Sequence, residues 1–427
     1  MDEFVEGKNY KLSIIHQDHY GRGIAKFNRY PIFIPYTLPG ELIEVKITKS
    51  KKNFAEGLPE KLITVSNNRV KIPCENFYVC GGCDIMHQKY EDGLKMKKRN
   101  LLEILYKFGK IDVTKLKINN VVKCDDIFNY RNKVTFHVKD NKIGFYKNET
   151  NELINIDECK IINDKFNKIL KYIKKHLSDS GITEIVMRYG TYTDELMIIF
   201  KSNKNIDEQF IRNLVKLNKS VKSIYLLKNS KYKLIYGEKY IHENLLDKTF
   251  RISPDSFFQV NTKQAEKMFS KVLKYINSDD KNILDLYCGI GVISLIINNS
   301  RKNIIGVDIV KNAIEDANVN KVLNNASKVE FVCENVSNIL PVIKRAKKDL
   351  DVIILDPPRT GIDKNSVNII NELLPKKLIY ISCNPVTLAR DLKTLKENYN
   401  VEEITPYDMF PITHHIETVT LLTIKEN

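Results

Sequence analysis

Tryptophan is absent and cysteine is sparse, at eight in 427 residues. The missing tryptophan excludes nothing. So few cysteines in so long a chain exclude a disulfide scaffold of the small secreted kind, and clustered ones are better read as metal ligands or catalytic thiols. Long apolar runs are missing too: the longest span only a few residues, against the ~20 that cross a bilayer, and the N-terminus has no signal-peptide core. A soluble, cytoplasmic protein without membrane contact is expected. Internal repeats and low-complexity tracts are not evident. Acid is scarce in one region: residues 63–260 hold 36 Lys and Arg against 24 Asp and Glu, whereas 1–62 hold 10 against 8 and 261–427 hold 22 against 21. A net charge of +15 concentrated in that middle segment fits a polyanion such as RNA, held through its phosphates.

With 43% hydrophobic residues the chain has material for ordinary cores, and 427 residues make two to four domains at about 100–200 residues each. Residues 1–62 show short alternating runs broken by glycine and proline, at 10–15, 23–27, 32–34 and 41–47. That is the pattern of a small oligonucleotide-binding β-barrel, with a basic loop at 49–53 on its rim. Residues 63–255 read as a central α+β domain holding a cysteine-rich loop over 70–92. A helix over 93–108, with Leu94, Leu101, Leu102 and Leu105 at helical spacing, follows the loop, and segment 93–124 is expected to pack on the C-terminal domain. Strand-like runs from about 128 and a lysine-rich helix ending at Leu177 complete this part. Residues 256–427 alternate strand and helix, with apolar runs at 282–286, 304–308, 329–333, 352–356, 378–382 and 418–424. This alternation predicts a doubly wound parallel sheet of Rossmann type, so the fold class expected is multidomain α/β.

The run Ile283-Leu284-Asp285-Leu286-Tyr287-Cys288-Gly289-Ile290-Gly291 is a strand entering a glycine turn, with a helix starting at Val292. Those glycines let backbone approach a ligand closely. A dinucleotide site carries G-x-G-x-x-G. Here the third position is Ser294 and an acid, Asp285, precedes the turn. Both departures favour S-adenosylmethionine over NAD. Asp285 can hold the cationic methionine end, and Asp308, closing the next strand, is placed to accept from ribose hydroxyls. Asp356-Pro357-Pro358-Arg359 ends a later strand in a rigid turn that aims its acid into the same crevice. Amino-methyltransferases follow a similar turn with an aromatic residue that stacks on the target base; Arg359 in that place argues against N-methylation.

Cys383 follows the apolar run 377–381 and precedes Asn384-Pro385, at a strand end that presents groups to the crevice. Glu417 stands just before the last apolar run. A thiol and a carboxylate beside a methyl donor fit carbon methylation of a pyrimidine. C5 of the neutral ring is a poor nucleophile, but a thiolate adding to C6 turns C5 into an enolate carbon that attacks the methyl group. A base must then remove the C5 proton before the thiolate can leave, a role worth roughly 10²–10⁴-fold. Cys383 is the candidate nucleophile and Glu417 the candidate base.

Five motifs in order carry a resemblance over nearly the whole chain: Asp255-Ser256-Phe257-Phe258-Gln259-Val260-Asn261, Asp285-Leu286-Tyr287-Cys288-Gly289, Asp356-Pro357-Pro358-Arg359, Ser382-Cys383-Asn384-Pro385 and His415-Ile416-Glu417-Thr418-Val419. The chain resembles the RNA uracil-5-methyltransferases, most closely the bacterial 23S ribosomal RNA members that carry an iron–sulfur cluster. The resemblance implies that Gln259, Tyr287, Asp308 and Asp356 contact the methyl donor or lie beside it, with Cys383 as nucleophile and Glu417 as base. It also implies that the barrel is a TRAM domain. The family position matched by Asp308 is usually glutamate, so this chain departs from the family there by a shorter side chain at the expected ribose contact. Phe257 and Phe258 are placed to stack on a base taken out of its helix. Arg131, among the aromatics and cations of 128–133, is the leading single candidate for RNA contact.

Cys74, Cys80, Cys83 and Cys159 supply four thiolates, and Gly81 and Gly82 let backbone wrap a bulky group. By chemistry alone zinc and an iron–sulfur cluster both fit, with His87 as a rival ligand. The resemblance favours a 4Fe-4S cluster on the four cysteines. Its expected role is structural and in RNA docking, because methyl transfer moves no net electrons. Cys124, Cys288 and Cys333 are expected to be buried packing residues. The reading is thus a monomer making 5-methyluridine in 23S rRNA. Three others stay open: the same chemistry on tRNA, whose bacterial enzymes generally lack barrel and cluster; a metal-containing RNA-binding protein without catalysis; and an NAD-binding oxidoreductase.

Overall fold

The computed structural model describes residues 4–148, 150–176, 181–346 and 349–426. Its first sheet comprises β1 (Asn9–Ser13), β2 (His16–Gln17), β3 (Gly23–Phe27), β4 (Tyr30–Ile34), β5 (Leu42–Lys51) and β6 (Phe54–Thr64), in the order β1-β5-β6-β4-β3-β2. β2 continues β1 past a short bend, so one bent strand pairs with both ends of the sheet and closes it into a barrel. Alternation builds the core: Ile43, Val45 and Ile47 of β5 point inward to meet Ile14, Ile32, Ile34 and Ala55.

Residues 65–89 lead without helix or strand into α1 (Tyr90–Gly109) and β7 (Lys117–Ile118). A second sheet follows, built from β8 (Lys133–Lys139), β9 (Lys142–Tyr146), β10 (Leu153–Asn155), β11 (Ile182–Tyr189), β12 (Leu196–Ser202), β13 (Val221–Lys228) and β14 (Lys231–Gly237). Its order is β10-β9-β8-β11-β12-β13-β14. Only β12 and β13 run parallel, joined through α3 (Glu208–Leu217). α2 (Asp164–His176) buries Phe166, Ile169, Leu170 and Ile173, one helical face, against this sheet. Leu177, the expected end of that helix, lies outside the described residues.

A hairpin of β15 (Ile241–Leu245) and β16 (Lys248–Ile252) and then α4 (Thr262–Tyr275) connect to the largest sheet. Its strands are β17 (Asn282–Leu286), β18 (Asn303–Asp308), β19 (Val329–Cys333), β20 (Val352–Leu355), β21 (Lys377–Ser382), β22 (Tyr399–Tyr407) and β23 (Glu417–Ile424). Helices α5 (Val292–Ile296), α6 (Lys311–Leu323), α7 (Val336–Arg345), α8 (Lys364–Leu373) and α9 (Pro385–Leu395) link them. The order is β19-β18-β17-β20-β21-β23-β22-β7, with large apolar cores on both faces. β20 is buried throughout, as a central parallel strand is.

The sheet departs from the all-parallel expectation at one edge. β23 is antiparallel to both β21 and β22, because the connection over 408–416 contains no crossover helix. This reversal positions the site: the first residue of β23 lies at the end of the sheet where β21 finishes, and Ser382 pairs with Thr418. α1 packs on α9 and β7 pairs with β22, so segment 90–118 is part of this layer. Among the described residues no helix is long and apolar enough to cross a membrane.

Candidate active site

The strand order reverses between β17 and β20, and the crevice beyond their C-terminal ends collects Asp285, Tyr287, Asp308 and Asp356. The turn after β17 needs unusual backbone: Tyr287 has φ 66°, and Gly291 has φ 83° with Phe331 2.5 Å from where a Cβ would stand. Asp308 fastens this turn by accepting from the Gly289 amide (2.9 Å) and the Val310 amide (2.8 Å). Asp285 is fully buried. Ser294 donates its amide and hydroxyl to Asp285 Oδ2 (3.0 and 2.6 Å), and Oδ1 has no partner. Burial pushes Asp285 up to about 7 against those two donors. Asp356 is also pushed up to about 7, first by burial and then by Asp285. Buried Asp285 with its unpartnered oxygen, and half-buried Asp356 beside it, form a place for a cation, the charge that a methionine ammonium or sulfonium carries. Gln259 lies on the loop before α4, where its carbonyl accepts from Asn132 Nδ2 (3.0 Å).

Cys383 sits at the junction of β21 and α9. Asn384 caps the helix by accepting from the Val386 amide (3.0 Å) and donates to the Arg359 carbonyl (3.0 Å), while Pro385 begins the first turn. The cap ties the Cys383 turn to the turn after β20. Burial pushes the thiol up to about 11, Glu417 and then Asp356 add to the shift, and Arg359 opposes it. Glu417 is 7% exposed, and burial followed by Asp356 holds its carboxyl well above the ordinary range, again against Arg359. Cys383, Glu417, Asp356 and Arg359 therefore share one electrostatic environment. A cavity of about 330 Å³ opens on the thiol, lined by Arg359, Asn384 and His415 together with Lys97 and Asn100 of α1 and His19 and Tyr20 of the barrel.

Cys74, Cys80, Cys83 and Cys159 line one cavity of about 480 Å³ whose other walls include Phe77, Met86, Phe145 and Ile162. Burial raises Cys80, Cys83 and Cys159, the last to about 11; neighbouring thiols add to each shift. The amides of Ile161 and Ile162 favour the Cys159 thiolate and that of Gly82 favours Cys80. Among the described residues no three metal-ligating side chains converge on a point that would hold a single ion. Four thiols around one space, with amides turned to sulfur, are a donor set of the kind that holds a cluster or a zinc ion. His87 is not in this lining. It is buried behind Phe77 (5.6 Å between rings) and held down to about 3 by burial.

Other expected residues separate. Phe257 is exposed at the mouth of the cysteine cavity, but Phe258 is buried against Phe250 (6.0 Å), because adjacent residues of extended chain face opposite ways. Phe258 is thus unavailable to a base. Arg131 lines the cysteine cavity and donates from Nε to the Lys133 carbonyl (3.0 Å). Cys124 and Cys288 are buried, whereas Cys333 is exposed at the end of the edge strand β19. Sequence reasoning missed the pocket walls supplied by Lys97, His19 and Tyr20. Lys97 is buried in an ion pair with Asp408, 311 residues away, a contact that no local pattern announces.

The sequence matches the tRNA (Uracil-5-)-methyltransferase family over residues 89–425 and the TRAM domain over residues 3–58. The chain belongs to the RNA uracil-5-methyltransferase family. A Staphylococcus aureus (strain MSSA476) protein named an uncharacterized RNA methyltransferase is 35% identical over 443 residues, covering 97% of both chains. One from Halalkalibacterium halodurans with the same kind of name is 33% identical and covers 98% of both. Among solved structures, a Pyrococcus abyssi tRNA (uracil-54, C5)-methyltransferase in complex with S-adenosyl-L-homocysteine superposes with TM-score 0.78 at 28% identity. That match covers 97% of this chain and 100% of the other. As an RNA uracil-5-methyltransferase with a TRAM domain, the protein is an enzyme, which sets aside the non-catalytic and NAD-dependent readings.

Proposed function

We propose that this uracil-5-methyltransferase uses S-adenosylmethionine to convert a uridine of 23S rRNA to 5-methyluridine in the cytoplasm, acting as a monomer. The closeness of Glu417 to Cys383, whose thiol it helps push up at the shared end of β21 and β23, carries the reading. S-adenosylmethionine supplies an electrophilic methyl group on a sulfonium. Asp285, with its free oxygen, attracts the cationic end of that donor; Tyr287 and Asp308 hold the turn beside it; Asp356 adds a second acid next to Asp285, and Gln259 is a further donor contact on the loop before α4. Cys383 forms a bond from sulfur to C6 of the uracil, which moves an electron pair onto C5. C5 takes the methyl group, Glu417 accepts the C5 proton, and the C6–S bond breaks to return the thiolate. Arg359, the cation facing both groups, favours the thiolate and the carboxylate over their neutral forms.

Cys74, Cys80, Cys83 and Cys159 would hold a 4Fe-4S cluster, which would tie the loop before α1 to the segment before α2. The cavity and its donor set support this, and the methyl transfer needs no electron from it. Arg131 and Phe257, on the same cavity wall, then belong to an RNA-facing surface in the basic middle of the chain.

A specific observation keeps tRNA as a second substrate reading. The Pyrococcus abyssi enzyme is named for tRNA, yet its match spans almost all of this chain, so the barrel alone does not separate the two substrates. Incubating the protein and S-adenosylmethionine with unmodified 23S rRNA or tRNA, followed by mass spectrometry of the nucleosides, decides between them. 5-Methyluridine in rRNA alone supports the proposal. Product in tRNA alone moves the assignment, and no product in either overturns the reaction.

A further inference from the structure

A second cavity of about 260 Å³ lies beside the reaction pocket, and the methyl-transfer chemistry leaves it unused. Tyr20 and His414 line both spaces, and the other walls of the second include Arg22, Tyr36, Asp84 and Asn148. Four rings run in sequence from the barrel to the catalytic loop. His19 lies 4.0 Å from Tyr20, Tyr20 lies 5.5 Å from His414, and His414 lies 4.1 Å from His415, in the turn that leads to Glu417.

The barrel tip that carries Tyr20 is held rigidly. Asp18 accepts from the amides of Tyr20 (3.0 Å) and Arg22 (2.9 Å) and from Arg22 Nε (2.8 Å). Asn100 of α1 donates to the Asp18 carbonyl (2.9 Å), which fixes the tip against the catalytic layer. Gly21, at φ 79°, lets the tip come so close that Ile85 stands 2.7 Å from where a Cβ would be. On the other side Asp84 accepts from the His414 amide (3.1 Å) and pairs with its Nδ1 (2.7 Å). Despite this bracing Tyr20 is 49% exposed, with the Arg22 guanidinium 5.4 Å from its ring centre. An aromatic ring fixed in place yet open to solvent, with a cation beside it, is the arrangement of a stacking platform for single-stranded nucleic acid.

We infer that the second cavity takes an unpaired nucleobase, that of the nucleotide next to the target uridine, stacked on Tyr20 and His414 with Arg22 beside its phosphate. The inference rests on the uridine chemistry proposed above. A uracil whose C6 meets Cys383 has left its stack, so its neighbour loses a stacking partner too, and the shared wall offers a replacement face. The barrel then completes the reaction site as well as adding general RNA affinity.

The test uses a short RNA spanning the mapped methylation site, with 5-fluorouridine at the target so that the covalent complex with Cys383 persists, and with each neighbouring nucleotide either natural or abasic. Rates of complex formation at subsaturating RNA are compared for the wild type, Tyr20→Ala and Tyr20→Phe. Loss of one stacked base predicts a rate lowered roughly 5- to 150-fold in Tyr20→Ala. Tyr20→Phe keeps the ring and the rate. Removing one particular neighbour base lowers the wild-type rate similarly and costs Tyr20→Ala nothing further. A Tyr20→Ala rate within twofold of the wild type, or base and side-chain losses that simply multiply, overturns the second site and leaves the uridine chemistry standing. A wild type that forms no complex overturns the uridine chemistry itself.

Discussion

Replacing Glu417 by glutamine should separate catalysis from stability, with opposite signs. The side chain is nearly isosteric, but the amide cannot accept the C5 proton. Product formation should fall by about 10²–10⁴-fold, the usual value of a positioned general base. Addition of Cys383 to C6 needs no base at position 417, so RNA should accumulate as a covalent complex. Stability follows from the proton. Burial and then Asp356 hold the folded carboxyl well above its ordinary value of 4.5. The folded protein therefore binds that proton more tightly than the unfolded chain. The group contributes stability that is fully present below the ordinary value and is lost as pH rises toward the raised one, about 1.4 kcal/mol for each tenfold gain in proton affinity. Glutamine has no such loss, so Glu417→Gln should match the wild type near about pH 4 and melt progressively higher than it as pH rises toward about 8. Nucleoside mass spectrometry and thermal denaturation across that range measure both effects. Turnover within tenfold of the wild type, or a variant that melts below it near pH 8, would refute the assignment of Glu417 as a buried base.

Four further outcomes are expected. In the RNA-free protein, alkylation of Cys383 should keep rising about tenfold per pH unit past the ordinary thiol value of 9.0, since burial moves it to about 11; peptide mapping after timed iodoacetamide treatment reads this. Asp285 and Asp356 are both held near 7, so S-adenosylmethionine should bind more tightly as pH rises through that value, and Asp285→Asn should bind more weakly with a smaller pH dependence by calorimetry. Lys97→Met strands Asp408, a fully buried acid, and should cost about 3–5 kcal/mol in a denaturant titration. Cys159→Ser should lower the iron and sulfide of anaerobically prepared protein, whereas Cys333→Ser, at an exposed thiol, should not.

Much of the largest sheet was legible because its parallel strands are buried on both faces and so read as unbroken apolar runs ending in Asp308, Leu355 and Ser382. β22 was not read. Glu402, Glu403, Thr405 and Pro406 give it a loop-like sequence, and its order comes from partners elsewhere: Glu403 accepts from Asn119 (2.6 Å), Lys271 (3.0 Å) and Tyr275 (3.0 Å). β6 was missed for a similar reason, since Gly57 and Pro59 interrupt a strand that bulges repeatedly against β5. The candidate nucleophile and base announced themselves by chemistry, each beside an apolar run. Their meeting depends on the antiparallel turn of β23, which the last apolar run does not encode. The pocket walls from α1 and the barrel were illegible because single exposed residues such as Tyr20 acquire meaning only when distant segments fold together.

The most direct measurement is peptide mapping, by mass spectrometry, of the covalent complex between the protein, S-adenosylmethionine and RNA carrying 5-fluorouridine. The account predicts one modified peptide containing Cys383, bearing a methylated fluorouridine, and no complex with Cys383→Ala. A complex on another residue, or methylated RNA with no covalent stage in the wild type, would contradict it.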